Sequence, residues 1–243
     1  MDTARLDNWI VHHKTVTEST NLDARAGKPG DVFVADEQTA GRGRLDHTWI
    51  SQPGKNLMLS VVLDVAGIAP PEVATLPLVV GLAAATATSL LLLRQTWIKW
   101  PNDVMACGRK LAGVLCERHG ENVIAGVGIN VNQKVFAPEI ALRATSLLQI
   151  DGRERPLEMV LCAFLKTLSP FCDDWRRGGF PALHPLVAAC DWLKGRSVSV
   201  LQTDTDSAPV SGLCGGIQSD GTLLVGGTSV FAGEAHVIGK DLA

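Results

Sequence analysis

The 243-residue chain has no surplus of positive charge: 22 lysines and arginines face 25 aspartates and glutamates, a formal net charge of −3. Nothing in that balance would displace counterions along a phosphate backbone, which excludes a generic nucleic-acid binder and requires any anion to be bound locally. Cys107, Cys116, Cys162, Cys172, Cys190 and Cys214 fall without a CxxC pair; in a chain that is not exported they read as reduced thiols rather than a disulfide framework. The six histidines make no HExxH or His-x-x-x-His spacing, His12-His13 reads as a solvated pair, and no transition metal is expected. Met1–Arg5 is not a basic segment leading into an apolar one, so no secretory signal is predicted and a cytoplasmic location is expected. Internal repeats and low-complexity segments are also missing.

One long apolar run is present, Leu76 to Leu93. Pro77, Gly81, Thr86, Thr88 and Ser89 interrupt it and much of the remainder is alanine, so the prediction is a buried core helix opened by Pro70-Pro71-Glu72, not a membrane span. Ser19-Thr20-Asn21, then Leu22 to Ala26 and Gly27, reads as N-cap, short helix and C-terminal glycine. Strands are predicted at Val32–Ala35, Leu57–Leu63 and Thr96–Trp100, the last ended by Pro101. Leu111–Glu117 and Asn122–Asn130 read as an antiparallel pair. After Arg155-Pro156, apolar Leu157, Val160, Leu161, Phe164, Leu165 and Leu168 recur near every 3.6 residues, the stripe of a helix covering a sheet. From about Lys194 the texture becomes short strands, with Asp220-Gly221 as a two-residue hairpin turn.

Three clusters carry chemistry. Gly41-Arg42-Gly43-Arg44 follows an apolar strand; glycine frees the backbone and arginine's planar fork matches phosphate oxygens, so it reads as a loop wrapping a phosphate or as a solvated turn. Asn102 and Asp103 end a strand, as rim functional groups or as a plain turn, while Lys110 enters an apolar strand just before Ala112-Gly113. That lysine is either one charge aimed into a cleft with a low floor or a strand-end lysine reaching water. Gly126-Val127-Gly128-Ile129-Asn130 alternates glycines along a strand, clearing one face so that something can lie flat on the backbone, and lacks the third glycine of a dinucleotide fingerprint.

Taken in order, Ser19-Thr20-Asn21, Gln38 to Arg44 with Trp49, Lys99-Trp100-Pro101-Asn102-Asp103, Lys110-Leu111-Ala112-Gly113, Gly128-Ile129-Asn130-Val131, Ala144 to Leu148 and Ala232-Gly233-Glu234 resemble one family, the biotin protein ligases. The resemblance covers nearly the whole chain. It implies an α+β fold: a mixed, mostly antiparallel sheet flanked by helices over residues 1–193, then a small SH3-like β-barrel over 194–243. The implied activity uses Mg2+ with ATP and biotin to make biotinoyl-5′-AMP, then transfers biotin to a lysine of a biotin carboxyl carrier protein. On this resemblance Ser19, Thr20, Asn21, Gln38, Gly41, Arg42, Gly43, Arg44, Lys110 and Gly113 bind biotin. Arg44, Trp49, Asn102, Asp103 and Asn130 face ATP, with Trp49 stacking on adenine, and Asp103 is the candidate Mg2+ ligand. Lys110, Arg42 and Arg44 are the catalytic candidates. A Ser-His or Cys-His nucleophile pattern is absent, which suits chemistry in which the acid itself attacks phosphorus.

Two departures stand out. Asp46-His47 replaces the Gly-Arg that relatives carry before the tryptophan, and a carboxylate beside a phosphate track implies weaker nucleotide affinity. About eighteen residues precede Ser19, which leaves no room for the helix-turn-helix domain of many relatives; neither DNA nor a membrane is an expected partner. A homodimer stays open. So do a lipoate or octanoate transferase of similar fold and a non-catalytic biotin or adenylate sensor.

Overall fold

A computed structural model describes residues 2–45, 47–202 and 208–238. In chain order its elements are β1 (Asp2–Leu6), β2 (Trp9–Thr17), α1 (Thr20–Ala24), β3 (Asp31–Gln38), β4 (Asn56–Asp64), α2 (Pro70–Val73), α3 (Leu76–Leu92), β5 (Trp97–Lys99), β6 (Asp103–Ala106), β7 (Arg109–His119), β8 (Asn122–Asn130), α4 (Leu147–Asp151) and α5 (Leu157–Ala189). The tail adds β9 (Ser197–Leu201), β10 (Val210–Ile217), β11 (Leu223–Val225), β12 (Thr228–Val230) and β13 (Glu234–Val237). The first eight strands form one sheet in the order β1-β2-β3-β4-β8-β7-β6-β5, and the tail strands a second in the order β12-β11-β10-β9-β13. Only the β2–β3 pair is parallel among the described ladders, so the expected mixed, mostly antiparallel α+β architecture holds. The tail is an open five-stranded antiparallel ladder with β12 and β13 at its edges.

The large sheet separates two layers. Ile98, Val104, Ala112, Val114, Val127 and Ile129 are buried in one core with Leu82 and Ala83 of α3 and Val160, Phe164 and Leu168 of α5. On the opposite face Ala24 of α1 packs with Phe33, Val62 and Ile124, a smaller buried cluster. The segment Pro70–Leu92 is long and apolar enough to cross a membrane, yet 67% of its most apolar window is buried inside the fold, and Thr88 Oγ1 donates to the Ala84 carbonyl at 2.7 Å.

Several local expectations need correction. Pro70 and Pro71 open a separate short helix, because Pro77 has no N–H to give to the Val73 carbonyl and the helix restarts at Leu76. Gly27 is no left-handed cap, since the helix already ends at Arg25 in a right-handed conformation; a Cβ there would lie 2.7 Å from the Phe33 ring, so the glycine serves close packing. The Asp220-Gly221 turn spans three residues, Ser219–Gly221: Gln218 N donates to Thr222 O at 2.8 Å, Gly221 N donates to Gln218 O at 2.9 Å, and Gly221 has φ 84°. The helix beginning at Leu157 runs on to Ala189 with a break at Gly179 (φ 66°, ψ −176°). Strands β1, β2 and β6 lack an apolar alternation that marks them in sequence; β1 is exposed over Asp2–Arg5.

Candidate active site

The site is laid out by strand register. Lys99 faces Asp103 across β5–β6, Asp103 faces Gly113 across β6–β7, Gly113 faces Gly128 across β7–β8, and Gly128 faces Met58 across β8–β4. Opposed residues of antiparallel strands share a face, so this transverse row lies on the side away from α3. A neighbouring row, Leu115–Gly126–Ser60–Phe33, runs parallel to it. Over both rows opens a cavity of about 1370 Å³ lined by Ser19, Thr20, Asn21, Gln38, Arg42, Gly43, Arg44, Trp49, Asn102, Asp103, Lys110, Gly113 and Asn130.

At one end lies a compact polar pocket. Gln38 Oε1 accepts from Thr20 N at 2.8 Å and from Thr20 Oγ1 at 3.0 Å. Ser60 Oγ lies 2.7 Å from Thr20 Oγ1 and 2.6 Å from Asn21 Oδ1, and Asn21 Nδ2 donates to Glu117 Oε2 at 2.6 Å. Ser19, Thr20, Asn21 and Ser60 are all buried, which requires such pairing. Although Ser19 occupies the N-cap position of α1, its side chain makes no cap bond.

In the middle stands Lys110. Its Nζ lies 2.6 Å from Asp103 Oδ1 and 5.8 Å from the centre of the Trp49 ring, above Gly113, where a Cβ would meet the ammonium at 3.2 Å. Trp49 lies on Gly128 so closely that a Cβ there would run into the indole, and Asn21 occupies the corresponding space over Gly126. What lies flat on the glycine-rich strand is therefore the chain's own Asn21 and Trp49. The Trp49 indole nitrogen is buried without a hydrogen-bond partner among the described residues.

The arginine loop folds back on itself: Arg42 and Thr48 form a bridge, and Trp49 N donates to Gly41 O at 3.0 Å. Gly41 consequently backs the loop and does not line the cavity; a Cβ on it would lie 2.7 Å from the Trp49 carbonyl. Arg42 Nη1 reaches Glu117 Oε1 at 3.3 Å. Arg44 Nη1 donates to Asn102 Oδ1 at 3.4 Å and to Gly233 O of the tail at 3.1 Å. Burial lowers the Arg44 pKa, with Asp103 and Glu234 opposing that shift. Asn130 is buried and its Nδ2 donates to Thr145 O at 3.0 Å. His47 is exposed at the loop, whereas Asp46, its partner in the departure from the family pattern, lies outside the described residues.

The site residues thus converge, Gly41 excepted, and Asp103, the candidate Mg2+ ligand, is among them. Among the described residues no three His, Cys, Asp or Glu side chains gather to hold a metal, and Asp103 is already paired with Lys110. Sequence reasoning also passed over Ser60, a lone hydroxyl in the apolar run Leu57–Leu63, and Glu117, which joins Asn21, Arg42 and Arg25 (3.7 Å). The polar residue inside an apolar strand was a usable signal for Ser60; Glu117 had none, since its partners come from distant segments.

Residues 12–133 match the biotin/lipoate A/B protein ligase family. A biotin–[acetyl-CoA-carboxylase] ligase from Mycobacterium tuberculosis is 34% identical over 238 residues, covering 91% of this chain and 86% of that protein. The bifunctional ligase/repressor BirA of Bacillus spizizenii is 36% identical over 185 residues, which span 71% of this chain and about half (54%) of the longer relative. Among solved structures, the biotin protein ligase of Aquifex aeolicus in complex with biotin and ATP superposes with a TM-score of 0.85 at 28% identity, over 96% of this chain and 100% of that one. By these matches the chain belongs to the biotin/lipoate A/B protein ligase family.

Proposed function

We propose that the chain is an ATP-dependent biotin ligase that makes biotinoyl-5′-AMP and passes the biotinoyl group to one lysine of a carboxyl carrier protein. The observation that carries this reading is the position of Lys110, an ammonium group between the polar Thr20–Asn21–Gln38–Ser60 pocket and the Arg44–Asn102–Asp103 side of one cavity. The ligands of the Aquifex aeolicus relative, biotin and ATP, support the same pair of substrates.

In the first step a carboxylate oxygen of biotin attacks the α-phosphorus of ATP. The new O–P bond forms as the bond to the β-phosphate oxygen breaks, and pyrophosphate leaves with the electron pair. Negative charge grows on the α-phosphate oxygens, where Lys110 donates once it exchanges the Asp103 carboxylate for phosphate. Arg42 and Arg44 add positive charge from the loop, and Trp49 supplies an aromatic face for adenine. Mg2+ arrives on ATP as part of the substrate, held by its phosphates. In the second step the carrier lysine's amine attacks the acyl carbon, the C–N bond replaces the C–O bond to AMP, and the surplus proton passes to water. The loop over the mixed anhydride keeps water from that carbon.

The test is pyrophosphate release on mixing the protein with biotin and ATP, followed by mass spectrometry of a carrier domain. Release and a biotinoyl mass gain are expected. Transfer of lipoate in place of biotin would favour the transferase alternative, and binding with no release would favour a sensor.

A further inference from the structure

Strand pairing alone does not fix Lys110. The β7–β8 ladder begins at Ala112 opposite Ile129, beyond the lysine, and on the other side the register with β6 shifts between Val104 and Met105, the residue that Lys110 faces. The backbone positions that β8 leaves open are taken by the segment returning from the loop after it. Lys110 N donates to Arg143 O at 2.7 Å and Thr145 N donates to Lys110 O at 2.9 Å, a parallel bridge to Ala144. Thr145 O in turn accepts from Asn130 Nδ2 at 3.0 Å. The Thr145 backbone thus joins the lysine to the last residue of β8.

The loop between carries Phe136, Ile140, Leu142 and Arg143 onto the cavity, and its two ends are tied at a neck. Ser146 Oγ donates to Gln133 O at 2.7 Å and accepts from Gln149 N at 3.1 Å. Gln149 Nε2 donates to Lys134 O at 2.8 Å, and its Oε1 accepts from Thr145 Oγ1 at 3.4 Å. Behind them Gln133 Oε1 accepts from Asn56 Nδ2, and Asn56 Oδ1 accepts from Val131 N at 3.2 Å. Asn56, Gln133 and Ser146 are buried, and neither they nor Gln149 line the cavity. Polar side chains cost more to bury than apolar ones of the same size, whereas a satisfied network of them specifies one geometry. We infer that Ser146 and Gln149 are positioning residues for adenylation: they close the neck, the closed neck holds the Thr145 backbone, and that backbone sets Lys110 where the α-phosphate is attacked. The inference rests on the adenylation reading above, in which Lys110 is the donor.

Pyrophosphate release and amide hydrogen exchange on the full chain test it. In Ser146→Ala, kcat for biotin-dependent release should fall about 10-fold at an unchanged KM for biotin, whose Thr20–Gln38 pocket makes no bond to the neck. Exchange at the Lys110 and Thr145 amides should quicken. Gln149→Ala, at an exposed position, should move both readouts the same way and less far, and it carries the test if Ser146→Ala does not fold. On a Lys110→Ala background the Ser146→Ala loss should shrink below about 3-fold, because the neck acts through the ammonium, while a residue that only stabilises the fold would cost the same on both backgrounds. Unaltered kcat, an undiminished loss without Lys110, or unchanged exchange at both amides overturns the assignment. A failure of the adenylation reading looks different: the wild type releases no pyrophosphate, yet both amides still exchange faster in the variants, and the hold of the neck on Lys110 stands.

Discussion

Lys110 Nζ and Asp103 Oδ1 meet at 2.6 Å in the middle of the cavity. The pair holds the ammonium between the polar pocket and the arginine loop, and in the proposed reaction a phosphate takes the carboxylate's place. Lys110→Ala should therefore reduce biotin-dependent pyrophosphate release about 100-fold or more while the melting temperature stays near that of the wild type. Release at the normal rate would remove Lys110 from the chemistry.

The two glycines of β8 separate the two halves of the site. A methyl on Gly126 collides with the Asn21 carboxamide and one on Gly128 with the Trp49 indole, at an overpacking cost of roughly 1–3 kcal/mol each. Gly126→Ala should weaken biotin more than ATP, and Gly128→Ala the reverse. Calorimetric affinities for both ligands on both variants check this, and equal effects would contradict the division.

Glu117 ties α1 to the loop through Asn21 and Arg42. In Glu117→Ala the Asn21 amide loses its acceptor and Arg42 its partner, so the KM for biotin should rise about 10-fold with a smaller change in kcat. A fall in kcat at constant KM would place Glu117 in the chemical step instead.

Acid stability should depend on Asp151. Hydrogen bonding from the Arg155 side chain, opposed by partial burial and assisted by the Arg153 backbone, holds its carboxyl below the usual carboxylate range, and Arg155 is itself 7% exposed. A depressed carboxylate stabilises the fold above its unfolded-state pKa and loses that contribution as pH falls through its folded value. Asp151→Asn should cost about 2 kcal/mol near pH 7, with the gap to wild type closing below pH of about 4. Urea unfolding across that range measures it, and a gap independent of pH would rule the ion pair out as its source.

The thiols should react unequally. Burial pushes Cys116 and Cys172 up to about 12 and Cys190 and Cys214 up to about 11, leaving little thiolate near neutral pH. Cys107 is exposed. Iodoacetamide at pH 8 should label Cys107 before those four, and the buried Cys190 and Cys214 should need denaturant; labelling of Cys190 before Cys107 would contradict the order.

Much of this was visible along the chain. The apolar stripe of Val160, Phe164 and Leu168 placed a helix on the sheet, and the run Leu76–Leu93 placed a buried one, since burial follows side-chain periodicity and composition. Turn details were not: Gly27 and the Ser219–Gly221 turn depend on what packs across from them, which local sequence does not carry. Strand β1 pairs through its backbone while its side chains face water, so it left no apolar mark.

By itself the sequence determined the chemical inventory: two loop arginines, a lysine before Ala-Gly, an Asn-Asp rim and a strand cleared by glycines. Residue type alone carries charge, hydrogen-bonding capacity and backbone freedom. Only the tertiary structure decided the order of these groups in space, because strand register brings Lys99, Asp103, Gly113, Gly128 and Met58 into one row from five separate strands. It also decided that Asn21 and Trp49 cover the glycines, that Glu117 binds pocket to loop, and that Asp103 pairs with Lys110. Register and docking are set by packing summed over the whole sheet, a property no short motif contains.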